Sequence, residues 1–147
     1  MTSHNGAMAR EVEKAVCYVL HNNHLLVFTH NNVPLTVTGV QVPAGSIKPG
    51  ESPERAAVRE LHEETDRPGQ ILSSVGVQRY DLRPTRNEIA VRHYFEMRMT
   101  DADESERWVA GESDPSTGRE TSLGLAGGSR CAMRTFLQRD SVNVLVQ

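Results

Sequence analysis

Apolar and polar positions divide the first part of the chain into strand-like segments and one helix. Residues 12–20 and 25–29 are rich in strand formers, and the turn residues 21–23 between them predict a hairpin. Branched and polar residues alternate over residues 36–42, which predicts a third strand that ends at Pro43.

One helix is predicted over residues 54–65. Ser52 is a favourable N-cap, and Pro53 suits the first helical position because its missing N–H costs nothing there. Strong helix formers follow, and the Pro-Gly pair at 68–69 ends the helix. The side chains expected to pack against a sheet are Ala57, Val58 and Leu61.

The remaining segments are strands and loops. A weak strand pattern covers residues 71–80, and clear alternation over residues 89–99 predicts a half-buried strand. Residues 101–106 form a charged loop, residues 111–128 are rich in Gly, Ser and Thr, and a short helix is suggested over residues 130–138. Strands, one helix and further strands predict a mixed α+β domain.

Composition narrows the class of protein. The chain has 147 residues, 37% hydrophobic and 24% charged, which is typical of one globular domain, expected at residues 11–147 after a loose tail at 1–10. The net charge of -3 makes a nucleic-acid partner unlikely without excluding a small anionic substrate.

Location and redox state are inferred from what the chain contains. Its apolar runs are shorter than the roughly 18–20 residues that cross a bilayer, and residues 1–10 are too polar for a secretory signal. We therefore expect a cytoplasmic protein without a membrane partner, in which Cys17 and Cys131 are reduced thiols.

Three glutamates lie on one face of the predicted helix. Glu60, Glu63 and Glu64 stand at positions i, i+3 and i+4, where like charges repel. No lysine lies between Lys48 and the end of the helix to dilute them. One interpretation is an ordinary acidic surface, and the other is a site for a hard cation such as Mg²⁺ or Mn²⁺.

The surrounding sequence favours the cation site. A glycine, five residues, a glutamate, seven residues and then Arg-Glu-Leu-His-Glu-Glu resemble the Nudix box, Gly-x5-Glu-x7-Arg-Glu-apolar-x-Glu-Glu-x-Gly-apolar. The matching residues are Gly45, Glu51, Arg59, Glu60, Leu61, Glu63 and Glu64. Asp66 stands where the box has its last glycine and Arg67 where it has an apolar residue; aspartate can adopt the left-handed conformation that glycine supplies.

The resemblance implies a fold and a function. The fold would be a Nudix-like mixed β-sheet sandwiched by helices, with a catalytic loop–helix–loop at residues 45–67. The chain would be a Nudix-type pyrophosphohydrolase, a divalent-metal-dependent hydrolase that cuts a diphosphate linkage in a nucleoside diphosphate derivative. ADP-ribose, a nucleotide sugar, a dinucleoside polyphosphate or a nucleoside triphosphate would each fit.

The resemblance also assigns roles to residues. Glu60 and Glu64 would be inner ligands of Mg²⁺ or Mn²⁺, Glu63 would bind directly or through water, and the carbonyl of Ala44 is a candidate backbone ligand.

Arg59 would orient the acidic side chains, with Glu51 as its partner and Gly45 as a structural position of the motif. The general base would be Glu60 itself or an acid of a later loop, for which the candidates are Glu104, Glu112 and Asp114.

Three further residues are candidates for substrate binding. Arg83 and Arg86 flank a proline in a predicted loop and could grip a phosphate or ribose, although solvated arginines are the equal alternative. Trp108 is a candidate for stacking on a base, although the core also needs the few aromatic residues of this chain.

Two other functions are weighed against hydrolysis. A non-catalytic nucleotide-binding or regulatory Nudix-like domain is suggested by Asp66 and by the atypical C-terminal segment, but the complete set of acids argues against it. Isomerisation with retention of the diphosphate would require a separate acid–base pair, for which the sequence offers no candidate. A homodimer is left open.

The C-terminal segment, residues 121–147, is atypical because Nudix domains generally close with an amphipathic helix. We hypothesise a frameshift. Residues 127–135, back-translated and read two bases later, give Trp-Leu-Pro-Leu-Arg-Asp-Ala-His, which is similar to an ordinary strand-to-helix entry of the family. Resequencing the coding DNA tests the hypothesis, and codons incompatible with the shifted reading would end it.

Overall fold

The structure is a computed structural model that describes residues 8–30, 36, 39–101, 107–110 and 129–135. The described part contains seven strands and one long helix. In chain order these are β1 (Arg10–His21), β2 (His24–His30), β3 (Ala44–Ser46), α1 (Pro53–Thr65), β4 (Gly69–Asp81), β5 (Glu88–Met99), β6 (Arg107–Ala110) and β7 (Ser129–Thr135). No helix in these ranges is long and apolar enough to cross a membrane.

β1 is the strand around which the sheet is organised. The strands of the described residues follow the order β4-β5-β1-β2-β7-β6, and β3 pairs with β1 beside that path. β1 runs parallel to β5 and antiparallel to β3. It also forms the predicted hairpin with β2, whose turn residues Asn22 and Asn23 have φ angles of 45° and 62°. Asparagine tolerates these left-handed values, as a two-residue hairpin turn requires.

The ends of α1 follow the sequence signals. The Ser52 hydroxyl accepts a hydrogen bond of 3.2 Å from the Arg55 N–H, which caps the first turn. Asp66 ends the helix in the left-handed conformation, with φ of 56°, and its N–H donates to the carbonyl of His62 at 2.8 Å. Asp66 therefore ends the helix in the conformation for which the motif has a glycine.

α1 packs on one face of the sheet. Its buried residues Ala57 and Leu61 join Cys17, Phe95 and other apolar side chains in the larger core cluster. The prediction that Val58 faces the sheet is wrong. Val58 is 39% exposed, and Ala56 is buried instead. The other face carries a smaller cluster of buried residues. They are Val16, Leu25, Val27 and Val42, packed against Tyr18, Ala44 and Tyr94.

The third strand is displaced from its predicted position. Among the described residues of the predicted range, Thr36 is helical and Gln41 forms an isolated bridge with Phe28. β3 forms later, at Ala44–Ser46, beyond Pro43 where the predicted strand was expected to end. The prediction failed because pairing with the central strand β1, a tertiary contact, decides where β3 lies.

The C-terminal part of the sheet was also mispredicted. The short helix suggested over residues 130–138 is wrong for residues 130–135, which belong to β7 and pair along the whole of β2. β6 pairs with β7 in a region where the sequence pattern predicted no strand. The predicted strands at 71–80 and 89–99 are confirmed as β4 and β5. Residues 1–7, 121–128 and 136–147, with most of the predicted tail and atypical segment, lie outside the described residues.

Candidate functional site

The acidic residues of α1 lie against β3. A Cβ built on Gly45 would lie 1.9 Å from the Cδ atom of Glu60, so the Glu60 carboxylate occupies the space that any larger residue would need. Glu64 is anchored to the same strand, because one of its carboxylate oxygens accepts a hydrogen bond of 3.0 Å from the Ala44 N–H. The pairing of β3 with β1 therefore fixes the position of the strand that both carboxylates contact.

Arg59 connects the acidic side chains. Its Nε and Nη2 atoms donate to the two carboxylate oxygens of Glu51 at 2.8 and 2.9 Å. Its Nη1 atom donates to Glu60 at 2.6 Å and to Glu63 at 3.0 Å. Nη2 also donates to the carbonyl of Ser46 at 2.9 Å. The planar guanidinium thus holds three carboxylates and one end of β3 in a fixed arrangement.

Hydrogen bonding sets the ionisation of Glu51. The Arg59 guanidinium, and then the Lys48 N–H at 3.0 Å, hold the pKa of Glu51 at about 2. The same Glu51 contact is the largest cause that raises the pKa of Arg59. The pair therefore remains charged across the physiological pH range.

Burial sets the ionisation of the other carboxylates in the opposite direction. It raises the pKa of Glu64 to about 8, although the Ala44 hydrogen bond opposes the shift, and nearby Glu60 and Glu63 add to it. Burial also raises the pKa of Glu60, against the opposing effect of Arg59. Both groups hold negative charge less readily than an exposed glutamate.

The donor set fits a hard divalent cation in its chemistry. Glu64 is largely buried, and within the described ranges its carboxylate receives no hydrogen bond from a cationic side chain. A cation beside Glu64 and Glu60 would offset the cost of burying their negative charge. In the described residues no three Asp, Glu, His or Cys side chains converge as ligands; Arg59 engages Glu60 and Glu63, and Glu64 bonds to Ala44.

Trp108, the candidate for stacking on a base, lies at the C-terminal end of α1. Its indole N–H donates to the carbonyl of Thr65 at 2.7 Å, and the Arg67 guanidinium lies 4.7 Å from the ring centroid. Trp108 therefore packs on the C-terminal end of α1.

The two loop arginines differ in their surroundings. Arg83 donates to the carboxylate of Asp81 within the turn that joins β4 to β5. Arg86 lies in the same turn and contributes to lowering the pKa of Lys14. The candidate bases Glu104, Glu112 and Asp114 lie outside the described residues.

Two cationic residues of the central strands, Lys14 and Arg92, were not predicted from the sequence to be part of a site. Lys14 of β1 is close enough to Glu60 and Glu64 for both to raise its pKa, although burial and the charge of Arg92 lower it overall. Arg92 lies beside Lys14 in the register of β5 against β1. The sequence offered little indication of either residue, because both occupy ordinary polar positions of strands in which polar and apolar residues alternate.

Comparison with known protein families matches residues 10–117 to the NUDIX domain. The chain is 39% identical over 70 residues to an RNA pyrophosphohydrolase of Cereibacter sphaeroides, a match that covers 45% of this chain and 43% of that protein. It is 35% identical over 74 residues to an ADP-ribose pyrophosphatase of Bacillus subtilis, covering 47% and 40%. The chain thus spans less than half the length of these relatives.

Solved structures show the same fold. A NUDIX hydrolase from Nitrosomonas europaea has a TM-score of 0.56 at 18% identity, over 71% of this chain and 67% of that one. A UDP-X diphosphatase has a TM-score of 0.54 at 14% identity, over 71% and 49%. Identities this low carry the architecture and leave the chemistry to the site itself.

Proposed function

The chain belongs to the NUDIX domain family, and on that premise we propose that it is a divalent-metal-dependent pyrophosphohydrolase acting on a nucleoside diphosphate derivative. The observation that carries the proposal is the placement of the Glu64 and Glu60 carboxylates against β3. Burial makes their negative charge costly, and a bound cation would offset that cost. The names of the two sequence relatives, both enzymes that cleave pyrophosphate linkages, support this reaction class. We also propose that residues 11–147 form one domain.

The proposed cation is Mg²⁺ or Mn²⁺. Glu60, Glu63 and Glu64 would hold it, with the carbonyl of Ala44 as a fourth oxygen donor. When bound, the cation would neutralise charge on the phosphoryl oxygens and help to activate the attacking water.

The protein side chains have separate tasks in this proposal. Arg59, with Glu51 as its fixed counter-charge, keeps Glu60 and Glu63 oriented. Gly45 leaves the space that the Glu60 carboxylate occupies. Of the four candidate general bases, Glu60 is the one among the described residues, and its raised pKa makes it a better proton acceptor than an exposed glutamate.

The test is a panel of substrates assayed with Mg²⁺ and with EDTA. ADP-ribose, dinucleoside polyphosphates, sugar nucleotides, nucleoside triphosphates and 5′-triphosphorylated RNA cover the diphosphate linkages under consideration. We expect Mg²⁺-dependent cleavage of at least one compound and its loss in Glu60→Gln and Glu64→Gln. Glu54→Gln is the matched control, because Glu54 is an exposed glutamate of the same helix.

Two results would contradict the proposal. Cleavage that persists in EDTA would remove the cation from the reaction. Tight nucleotide binding without turnover across the panel would instead support the non-catalytic, regulatory interpretation of the domain.

A further inference from the structure

The guanidinium of Arg92 is buried without a carboxylate partner among the described residues. Its side chain lies on β5, and the residue is only 5% exposed. Its Nε atom has no hydrogen-bond partner in the part of the chain that the structure describes. Its Nη1 atom makes long contacts of 3.4 Å to the carbonyls of Val12 and Val91, and no carboxylate of the described residues is paired with the guanidinium. Burying an arginine without an anionic partner is costly, so an anion supplied from outside would be bound favourably.

The position of Arg92 relates it to the acidic cluster. The register places Ser46 of β3, Lys14 of β1, Arg92 of β5 and Gln78 of β4 side by side across the sheet. Neighbouring strands lie about 4.8 Å apart, so the backbone of Arg92 is roughly 10 Å from that of β3. A nucleoside diphosphate derivative is long enough to span this distance, with Lys14 between its two ends.

A cavity is lined by residues that neighbour Arg92 on β4 and β5. It has a volume of about 380 Å³ and is lined by Tyr18, Val75, Gly76, Val77, Gln78 and Tyr94. The rings of Tyr18 and Tyr94 stack with their centroids 5.7 Å apart, and the Tyr94 hydroxyl donates to Gln78 at 3.0 Å. Gln78 is the register partner of Arg92. An aromatic wall with a side-chain amide suits the sugar or base of a nucleotide.

Tyr80 covers the guanidinium of Arg92. The Arg92 Cζ atom lies 5.7 Å from the centroid of the Tyr80 ring, and Tyr80 is 37% exposed. Because the Tyr80 ring lies at the surface, rotation of that side chain is the movement by which an anion would reach the guanidinium.

We propose that Arg92 is a substrate-anchoring residue, which binds a phosphate of the nucleotide while the attached nucleoside occupies the tyrosine-lined cavity. The planar guanidinium can bind two phosphate oxygens at once, which would fix the orientation of the bound phosphate. The inference rests on the proposed function for the identity of the substrate, but binding at Arg92 requires neither a metal ion nor turnover.

The experiment is calorimetric titration of ADP and of inorganic pyrophosphate in EDTA, with thermal midpoints measured without ligand. The variants are Arg92→Met, Arg92→Lys and Arg98→Met, the last being an exposed arginine of the same strand. We expect Arg92→Met to weaken ADP binding about tenfold or more, because it removes a charge-assisted hydrogen bond. Arg92→Lys should lie between it and the wild type, and Arg98→Met should match the wild type.

Stability distinguishes an anchoring role from a structural one. Since no carboxylate of the described residues is paired with Arg92, Arg92→Met should keep or raise the thermal midpoint of the ligand-free protein. A midpoint well below that of Arg98→Met would show that the guanidinium supports the fold, and would overturn the inference. So would unchanged ADP binding in Arg92→Met, or wild-type protein that binds neither ADP nor pyrophosphate at millimolar concentration.

The two proposals fail separately. Metal-dependent cleavage with ADP binding that ignores Arg92 would reject the anchoring role alone. Arg92-dependent binding without cleavage would reject the proposed hydrolase and leave the anion site in place.

Discussion

The carboxylate of Glu60 occupies the space where a side chain of residue 45 would otherwise lie. A Cβ on Gly45 would approach the Cδ and both carboxylate oxygens of Glu60 to between 1.9 and 2.2 Å. The glycine is therefore required by a close approach between β3 and the acidic face of α1. Of the two partners, the carboxylate end of Glu60 is the one that can move.

Gly45→Ala should displace Glu60 and disable the site. A misplacement of about 1 Å in a catalytic group commonly costs about 100-fold in rate, so we expect kcat to fall by about that factor. The measurement is steady-state kinetics on whichever compound of the panel is cleaved.

Gly69→Ala is the contrasting variant, because its Cβ would lie 2.3 Å from the Cδ2 atom of Leu61 in the core. It should lower the free energy of unfolding by about 1–3 kcal/mol. Equal kcat in Gly45→Ala and wild type would show that catalysis does not depend on the position of Glu60 against β3.

Arg59→Lys should retain the positive charge and lose the geometry. A lysine ammonium cannot donate to Glu51, Glu60 and Glu63 in the fixed fork that the guanidinium provides. We expect kcat to fall about tenfold or more, since charge-assisted hydrogen bonds are lost from the network. Arg55→Lys, at an exposed position of the same helix, should be close to wild type. An Arg59→Lys enzyme as active as Arg55→Lys would show that charge alone suffices.

Glu64 should make the metal-free protein less stable as the pH rises. The pKa of Glu64 is about 8 in the folded protein, against an ordinary value of 4.5. Between these values the folded state retains a proton that the unfolded state has lost, so the free energy of unfolding falls with rising pH. The contribution of Glu64 to the slope is at most about 1.4 kcal/mol per pH unit.

Chemical denaturation in EDTA between pH 5 and about pH 8 measures this slope. Glu64→Gln should flatten it, leaving the contribution of the same sign from Glu60. Glu54→Gln, at an exposed position of the same helix, is the control for the substitution itself. A stability that is level across this range in the wild type, or a slope unaffected by Glu64→Gln, would refute the explanation based on burial of Glu64.

Asp66→Gly should stabilise the protein. Asp66 ends α1 with φ of 56°, a conformation that costs an L-residue energy and costs glycine none. We expect the free energy of unfolding to rise by about 0.5–1 kcal/mol, with kcat unchanged because no contact of the acidic cluster involves the Asp66 side chain in the described residues. Asp66→Asn, which also tolerates the left-handed region, is the control and should be nearly neutral. Destabilisation by Asp66→Gly would show that the aspartate side chain supports the helix exit.

The local parts of the site could be read from the sequence. The spacing of Glu60, Glu63 and Glu64 places them on one helical face because helix geometry depends only on consecutive residues. The helix cap at Ser52 and the left-handed exit at Asp66 are likewise properties of short segments, and both are present. The residues of α1 that face the core were predicted less accurately. Ala56, Ala57 and Val58 are consecutive apolar residues, so the sequence does not show that Ala56 rather than Val58 faces the core.

The sequence by itself determined the fold class, the helix with its two ends, and the set of acidic residues on one side of it. The tertiary structure decided where β3 forms, how β6 and β7 join the sheet, that Trp108 packs on the end of α1, and that Arg92 is buried beside Lys14. The physical reason is range. Caps, turns and helical faces depend on neighbouring residues, whereas strand pairing and burial depend on partners far along the chain that no local pattern encodes.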